Sequence, residues 1–222
     1  MDSHFSFKYD VMWESVPVLL TGVKFTILIT IFGLVLGFFL GTISGILKTS
    51  NRRIFKRFAG IYIESIRGTP LMVQVLFIYF GLPLVLGTRI PPLVAGVVAI
   101  GINAGAYIAE IVRGAIQSID KGQTEAGRSI GLTRFQTLLY IIWPQAFKRM
   151  IPPLGNQFII SLKDTSLLVV IGVGELTRQG QEIIAVNFRA FEVWLTVALM
   201  YLVMTMTLAK GLHFFEKRLE IN

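Results

Sequence analysis

VPVLLTGVKFTILITIFGLVLGFFLGTISGIL, residues 16–47, contains one charge, Lys24, and is long enough to cross as a helix a hydrocarbon core that needs roughly 20 apolar residues. Gly33, Gly37, Gly41 and Gly45 recur every four residues within it. That spacing sets the four glycines along one helix face and lets a neighbouring helix approach closely. The stretch reads as an uncleaved first span. Asp2, Asp10 and Glu14 stand where a secretory leader carries basic residues, and the apolar run is longer than a leader's core.

Four further apolar runs follow, at about 70–86, 92–111, 154–173 and 191–212. The first of these four is short, and the third contains Lys163 and Asp164. Composition agrees with a membrane protein: of 222 residues 54% are hydrophobic and 15% charged, with a mean hydropathy of +0.68, where a soluble domain carries about a quarter charged. The expected fold is all-α, a polytopic membrane protein of about five transmembrane helices in one domain over residues 1–222. Disordered, collagen-like and disulfide-stapled classes are excluded, and the absence of cysteine excludes thiol redox chemistry.

The net charge of +8 would suggest nucleic acid as a partner in a soluble protein. Between membrane spans it marks cytoplasmic loops instead, so lipid and not nucleic acid is expected. The first loop carries Lys48, Arg52, Arg53, Lys56 and Arg57, and the third carries Arg113, Lys121, Arg128, Arg134, Lys148 and Arg149. The second loop has only Arg89, and the fourth sets Arg178 and Arg189 beside Glu175 and Glu182. The first and third loops are therefore expected inside, the amino terminus outside, and the carboxyl terminus with Lys217 and Arg218 in the cytoplasm.

Residues 112–153 form the longest stretch that cannot span, and it lacks the composition of a flexible linker. Within it TEAGRSIGL (124–132) predicts a short helix opened by Glu125, an anion favoured at a helix start, and closed at Gly131. TRFQTLLYIIWP (133–144) then predicts a second, amphipathic helix at the membrane surface that runs until Pro144.

These residues carry a resemblance. Glu125, Ala126, Gly127, three residues, Gly131, nine residues, Ile141 and Pro144 resemble the loop that bacterial ABC importer permeases dock into their ATPase subunits. Gly127 departs from the family's usual alanine and Trp143 from its leucine. Glycine costs up to about 1 kcal/mol of helix propensity, so a softer docking helix is expected. IESIRGTPLMVQVLFIYF (63–80), GAYIAEIVRGAI (105–116), PPLGNQFIISLKDTSL (152–167) and GELTRQGQEI (174–183) extend the resemblance over nearly the whole chain. They look like the polar amino acid branch of the family, its glutamine type above all.

The resemblance implies the type I importer permease fold, with residues 112–153 as cytoplasmic coupling loop. It implies two permease copies, a homodimer by the glutamine type, an ATP-binding cassette ATPase and an extracytoplasmic amino-acid-binding protein as partners. Glu125, Ala126, Gly127, Gly131 and Pro144 are the coupling residues it implies. The chain contains no GxxxxGK[ST] phosphate loop, so ATP and Mg are expected on the ATPase and no cofactor on this chain.

Polar residues at membrane depth each need a partner or a function, since a charge there costs on the order of 3 kcal/mol. Gln157, Ser161, Asp164 and Thr165 share one helix face, with Asn156 and Lys163 on a neighbouring stripe. Asp164 with Gln157, Ser161 or Asn156 offers an acceptor for an ammonium and donors for a carboxylate. The alternative is a structural role, with Asp164 and Lys163 paired elsewhere near a helix end.

Glu64 with Arg67, and Glu110 with Arg113, are spaced for local helix ion pairs. Gly68, Thr69 and Pro70 predict a helix break, tolerated at membrane depth where it lines a cavity, which makes Glu64 to Pro70 a second candidate wall of the pathway. Asn103 is a candidate donor to a substrate carboxylate or to a neighbouring helix. Glu175, Arg178, Gln179 and Gln181 read as a solvated external loop, or by the resemblance as a docking surface. His4 and His213 lack metal-site neighbours, and no catalytic constellation is present, so neither metal nor enzyme chemistry is expected. The competing reading is a secondary transporter or channel that uses Asp164 and Lys163 to couple an ion gradient.

Overall fold

In a computed structural model of the chain, which describes residues 6–50 and 52–218, the glycine-marked run lies inside one long helix, α1 (Tyr9–Thr49). Seven more helices follow: α2 (Arg53–Arg67), α3 (Leu71–Leu86), α4 (Pro92–Ser118), α5 (Lys121–Ser129), α6 (Arg134–Ile171), α7 (Leu176–Asn187) and α8 (Ala190–Arg218). No strand occurs among the described residues. His4 and Asp2 lie outside them.

Helices α1, α4, α6 and α8 are each long and apolar enough to cross a membrane, and α2 with α3, bent by 102° at Gly68–Pro70, meets the same length and composition as a pair, a broken span or a re-entrant loop. Counting that pair as one gives the expected number of about five, and the break expected before the second span lies between α2 and α3. Helix α4 is the central one, with most of its apolar window buried.

Its main neighbour is α1. A side chain on Gly33 would strike Ile100, one on Gly37 would meet the carbonyl of Gly101 and the Ala104 methyl at 3.0 and 3.1 Å, and those on Gly41 and Gly45 would strike Ile108 and Val112. The opposing helix returns the fit, with Gly101 under Leu36 and Gly105 under Leu40 and the Tyr62 hydroxyl. Small residues on both sides let two backbones pack in direct contact, the packing that substitutes for hydrophobic drive inside lipid.

The structure corrects the expected stop at Pro144. Helix α6 runs from Arg134 to Ile171 with Pro144, Pro152 and Pro153 inside it. The wide π-helical turn Leu138–Ile142 directly precedes Pro144. In regular α geometry the proline ring would press on the carbonyl four residues earlier, and a locally widened turn relieves that clash. Pro83 follows the π turn Phe77–Gly81 in the same way. The fourth loop also differs from expectation, since most of it is the helix α7.

Candidate functional site

Two places gather the polar residues singled out in the sequence. The first is the element made by α5 and the start of α6. Asp120, not Glu125, caps α5, its carboxylate accepting from the Gly122 amide at 2.7 Å, so Glu125 sits within the helix and is exposed. Gly131, at φ +86°, makes the left-handed turn that ends α5, a conformation side-chain-bearing residues avoid. Thr133 and Gln136 then cap α6 reciprocally, at 2.8 and 3.2 Å.

Gly127 has a reason beyond helix softness. It is buried against α6, where a Cβ would lie 2.7 Å from Ile141 and 2.8 Å from Thr137. The missing methyl is filled by the Ile141 side chain, so α5 and the π turn pack tightly. Gln145 donates to Gln123 at 3.2 Å, and Arg149 bonds both the carbonyl and the hydroxyl of Ser118, fastening the element to α4. Ala126, Ile130, Phe135 and Tyr140 stay exposed, leaving an apolar outer face beside Glu125.

The second place is a cleft of about 590 Å³ at the break between α2 and α3, lined by Arg67, Gly68, Thr69, Pro70, Asn103, Tyr107, Gln157 and Asp164 among others. It brings together four of the expected residues from three helices: Arg67 from α2, Asn103 from α4, and Gln157 and Asp164 from α6. The other four stand apart. Asn156 is exposed outside the cleft, Ser161 is buried and accepts from Gln157 at 3.2 Å, and Thr165 is buried and donates to the Leu162 carbonyl. Glu64 turns away to Lys48, which donates to it at 2.9 Å.

The expected Glu64–Arg67 pair therefore does not form. Arg67 instead reaches Glu110, at 3.9 Å, and lies 5.3 Å from the centre of the Tyr107 ring. Glu110 is held far more tightly by Arg113, whose Nη2 and Nε donate to the same carboxylate oxygen at 2.6 and 2.9 Å, as the spacing predicted. Arg67 is thus loosely held at the cleft rim. Asp164 forms no ion pair or hydrogen bond among the described residues; the exposed Lys163 acts on it only through space. The expected structural pairing of these two is absent.

Gln74 and Tyr107 are the site residues that sequence reading missed. Gln74 is buried on α3 and its amide donates to the Ile66 carbonyl at 2.7 Å and to both oxygens of Thr69 at 3.0 Å. Its own oxygen accepts from Asn103 at 3.1 Å. One side chain therefore satisfies the carbonyls freed by the break and ties them to α4, the condition for broken backbone inside a membrane. A single amide four residues after Pro70 in an apolar run was the available signal.

On the far side of the bundle Glu175 is wholly buried, which corrects its placement in a solvated loop. It caps α7, accepting from the Thr177 and Arg178 amides at 2.9 and 2.8 Å and from the Tyr201 hydroxyl at 3.0 Å. Burial pushes its carboxyl above the ordinary carboxylate range, and the two amide bonds pull it back only in part. Arg178 pairs with Glu182 at 2.8 Å on the exposed face of the same helix.

The class so defined is an all-helical bundle of apolar, membrane-length helices, with a polar cleft beside a helix break and a capped helix–glycine–helix element fastened to its central helix. Comparison with known proteins refines this class. Residues 37–221 match the family described as binding-protein-dependent transport system inner membrane component. The chain is 52% identical over 216 residues to the glutamine transport system permease protein GlnP of Escherichia coli K12, covering 97% of this chain and 99% of that one. It is 38% identical to the L-cystine transport system permease protein TcyB of Bacillus subtilis, over 96% of this chain and 91% of the other. It superposes on the structure titled "Crystal structure of an amino acid ABC transporter with histidines" with a TM-score of 0.90 and 42% identity, covering 96% of this chain and 100% of that one. The chain belongs to the binding-protein-dependent inner membrane permeases, as an ABC importer permease for polar amino acids with the type I fold.

Proposed function

We propose that this permease carries glutamine, and that the cleft at the break between α2 and α3 is where the amino acid crosses. The observation that carries the reading is the presence of opposite charges in one cleft: Asp164, without an ion pair or hydrogen bond among the described residues, and Arg67, loosely held. A zwitterion satisfies both, its ammonium at Asp164 and its carboxylate at Arg67. Asn103 and Gln157 offer neutral contacts to a side-chain amide. The name of the Escherichia coli relative supports glutamine over other polar amino acids.

The same charges support a second copy of the chain. Arg67 is 43% exposed and Asp164 lies in an open cleft, a costly arrangement facing lipid and a sound one when a second copy closes over it. The exposed Glu125, Ala126, Ile130 and Phe135 face, held in place by Gly127, Gly131 and the π turn before Pro144, suits docking of a separate ATPase that holds ATP and Mg. An extracytoplasmic amino-acid-binding protein delivers the substrate at the opposite surface, with the amino terminus outside and the carboxyl terminus in the cytoplasm.

The test is uptake of labelled amino acids into proteoliposomes holding the permease, its co-purified ATPase and the binding protein. Glutamine uptake is expected to need all three and ATP. Asp164→Asn is expected to lower it at least about tenfold with assembly and thermal stability unchanged, because no bond is lost, and Glu125→Arg to uncouple it. Uptake driven by an ion gradient without ATP would overturn the importer mechanism, and unchanged uptake in Asp164→Asn would remove the carboxylate from the pathway.

A further inference from the structure

The corner between α1 and α2 concentrates charge of one sign. Residues 48–57 hold Lys48, Arg52, Arg53, Lys56 and Arg57 and no acidic residue. Lys48 is occupied by Glu64. Arg52, Arg53, Lys56 and Arg57 are all exposed and form no ion pair among the described residues, and Arg52 lies 5.8 Å from the Phe55 ring. No acidic residue stands in the first turn of α2 to offset them. Something outside the chain supplies the counter-charge.

An exposed apolar arc of α2 adjoins the one that carries these cations. Ile54, Phe58 and Ile61 are 61%, 67% and 57% exposed and follow helical spacing, opposite the buried Ala59, Gly60 and Ile63 that face α1 and α4. Phe55 is exposed beside them. Large apolar groups alternating with long basic ones suit a bilayer boundary, where the rings and alkyl stems sit among acyl chains and the charged heads reach the phosphates. The position agrees. Gly45 packs against Ala109 and Val112 near the end of α4, so this corner lies at the membrane face from which α5 projects.

We propose that residues 52–58 form a binding surface for anionic phospholipid headgroups. The contact anchors the outer end of a 15-residue helix whose last residue is Arg67, so bilayer charge sets the position of that guanidinium in the cleft. The binding itself is independent of the cleft's role, whereas its effect on transport rests on the pathway proposed above.

The experiment places the full-length permease in lipid nanodiscs of zwitterionic phosphatidylcholine with graded phosphatidylglycerol and measures by native mass spectrometry which lipid stays bound. Each basic residue near an anionic surface is worth a factor of about five in affinity. The wild type is expected to retain phosphatidylglycerol severalfold above its bulk share, and R52Q/R53Q/K56Q/R57Q to retain it at the bulk share. The charge-keeping R52K/R53K/R57K and the distant K217Q/R218Q are expected to behave as wild type. Should the fourfold variant fail to fold, Arg57→Gln alone is expected to lower the preference part of the way to the bulk share, by less than the factor of about five that one cation can be worth. Equal retention by wild type and the glutamine variants overturns the proposal, as does an equal loss in K217Q/R218Q, which makes the effect one of bulk charge. Loss of ATPase binding with lipid retention intact would give the surface to the ATPase and also overturn it. Because retention is read without transport, a failed uptake assay leaves this result standing.

Discussion

The α1–α4 seam and the broken second span face the same lipid and keep their backbones satisfied by opposite means. Along the seam both helices run unbroken, so the side chains have only to be absent: the glycines of one helix receive Ile100, Ile108 and Val112 of the other, and Gly101 and Gly105 receive Leu36 and Leu40. At Gly68–Pro70 the helical pattern is interrupted, and side chains must supply what the backbone no longer does, through Gln74, Thr69 and Asn103. The difference teaches where a membrane protein can hold a polar cleft. It does so where the main chain already demands polar partners, and not where two smooth helices meet.

Breaking the seam should have the largest effect. Gly41→Leu puts a branched side chain where a single Cβ already falls 2.6 Å from Ile108 and 2.7 Å from the Gly105 carbonyl. Backbone cannot yield as a side-chain tip can, so a loss of about 3 kcal/mol or more is expected. The yield of monodisperse protein in detergent measures it. Gln74→Leu attacks the other region, removing the partner of the buried Asn103 amide and leaving the Ile66 carbonyl only the longer bonds from Thr69. At about 1–3 kcal/mol for each buried group left unmade, a clear drop in melting temperature is expected, together with lost uptake. If Gln74→Leu were silent, the break would be held by the bend alone and the contrast would collapse.

The two styles meet at the other end of α1, which gives the smallest effect. Gly22 lies against the Leu176 backbone, and the Leu176 amide donates to the Thr26 hydroxyl at 3.2 Å, one residue from the buried Glu175. Folding raises the Glu175 carboxyl above its unfolded value, so the folded state holds that proton to higher pH. The stabilisation is complete below the unfolded value near 4.3 and is lost as pH rises through the folded one. The slope cannot exceed about 1.4 kcal/mol per pH unit for one proton. Melting curves from pH 4 upward should show it in the wild type and not in Glu175→Gln, which stays neutral while keeping an oxygen that accepts the α7 amides.

Features that repeat or punctuate were legible in the sequence. The four-residue glycine period on α1 and the Gly68–Pro70 break state their geometry in residue order, and so does Gly131. Partner choice was not legible. Glu64 and Arg67 have the spacing of a helix pair, yet α2 lies across the end of α1, so Lys48, 16 residues away, is the nearer cation for Glu64, and Arg67 swings to Glu110. The face that spacing gives Gln157, Ser161, Asp164 and Thr165 is split by packing: the first and third line the cleft, and the other two are buried away from it. Pro144 misled because a π turn is invisible to a rule that knows only α geometry, and Glu175 because a single carboxylate carries no sign of its burial.

That π turn leaves α6 as an unbroken shaft. Tyr140 on the exposed face beside α5 and Gln157 in the cleft stand on the same rod, 17 residues and so about 25 Å apart, with no loop between them. The two ends belong to one continuous helix, and any give between them lies where Pro144, Pro152 and Pro153 leave carbonyls without an amide donor, not at a loop.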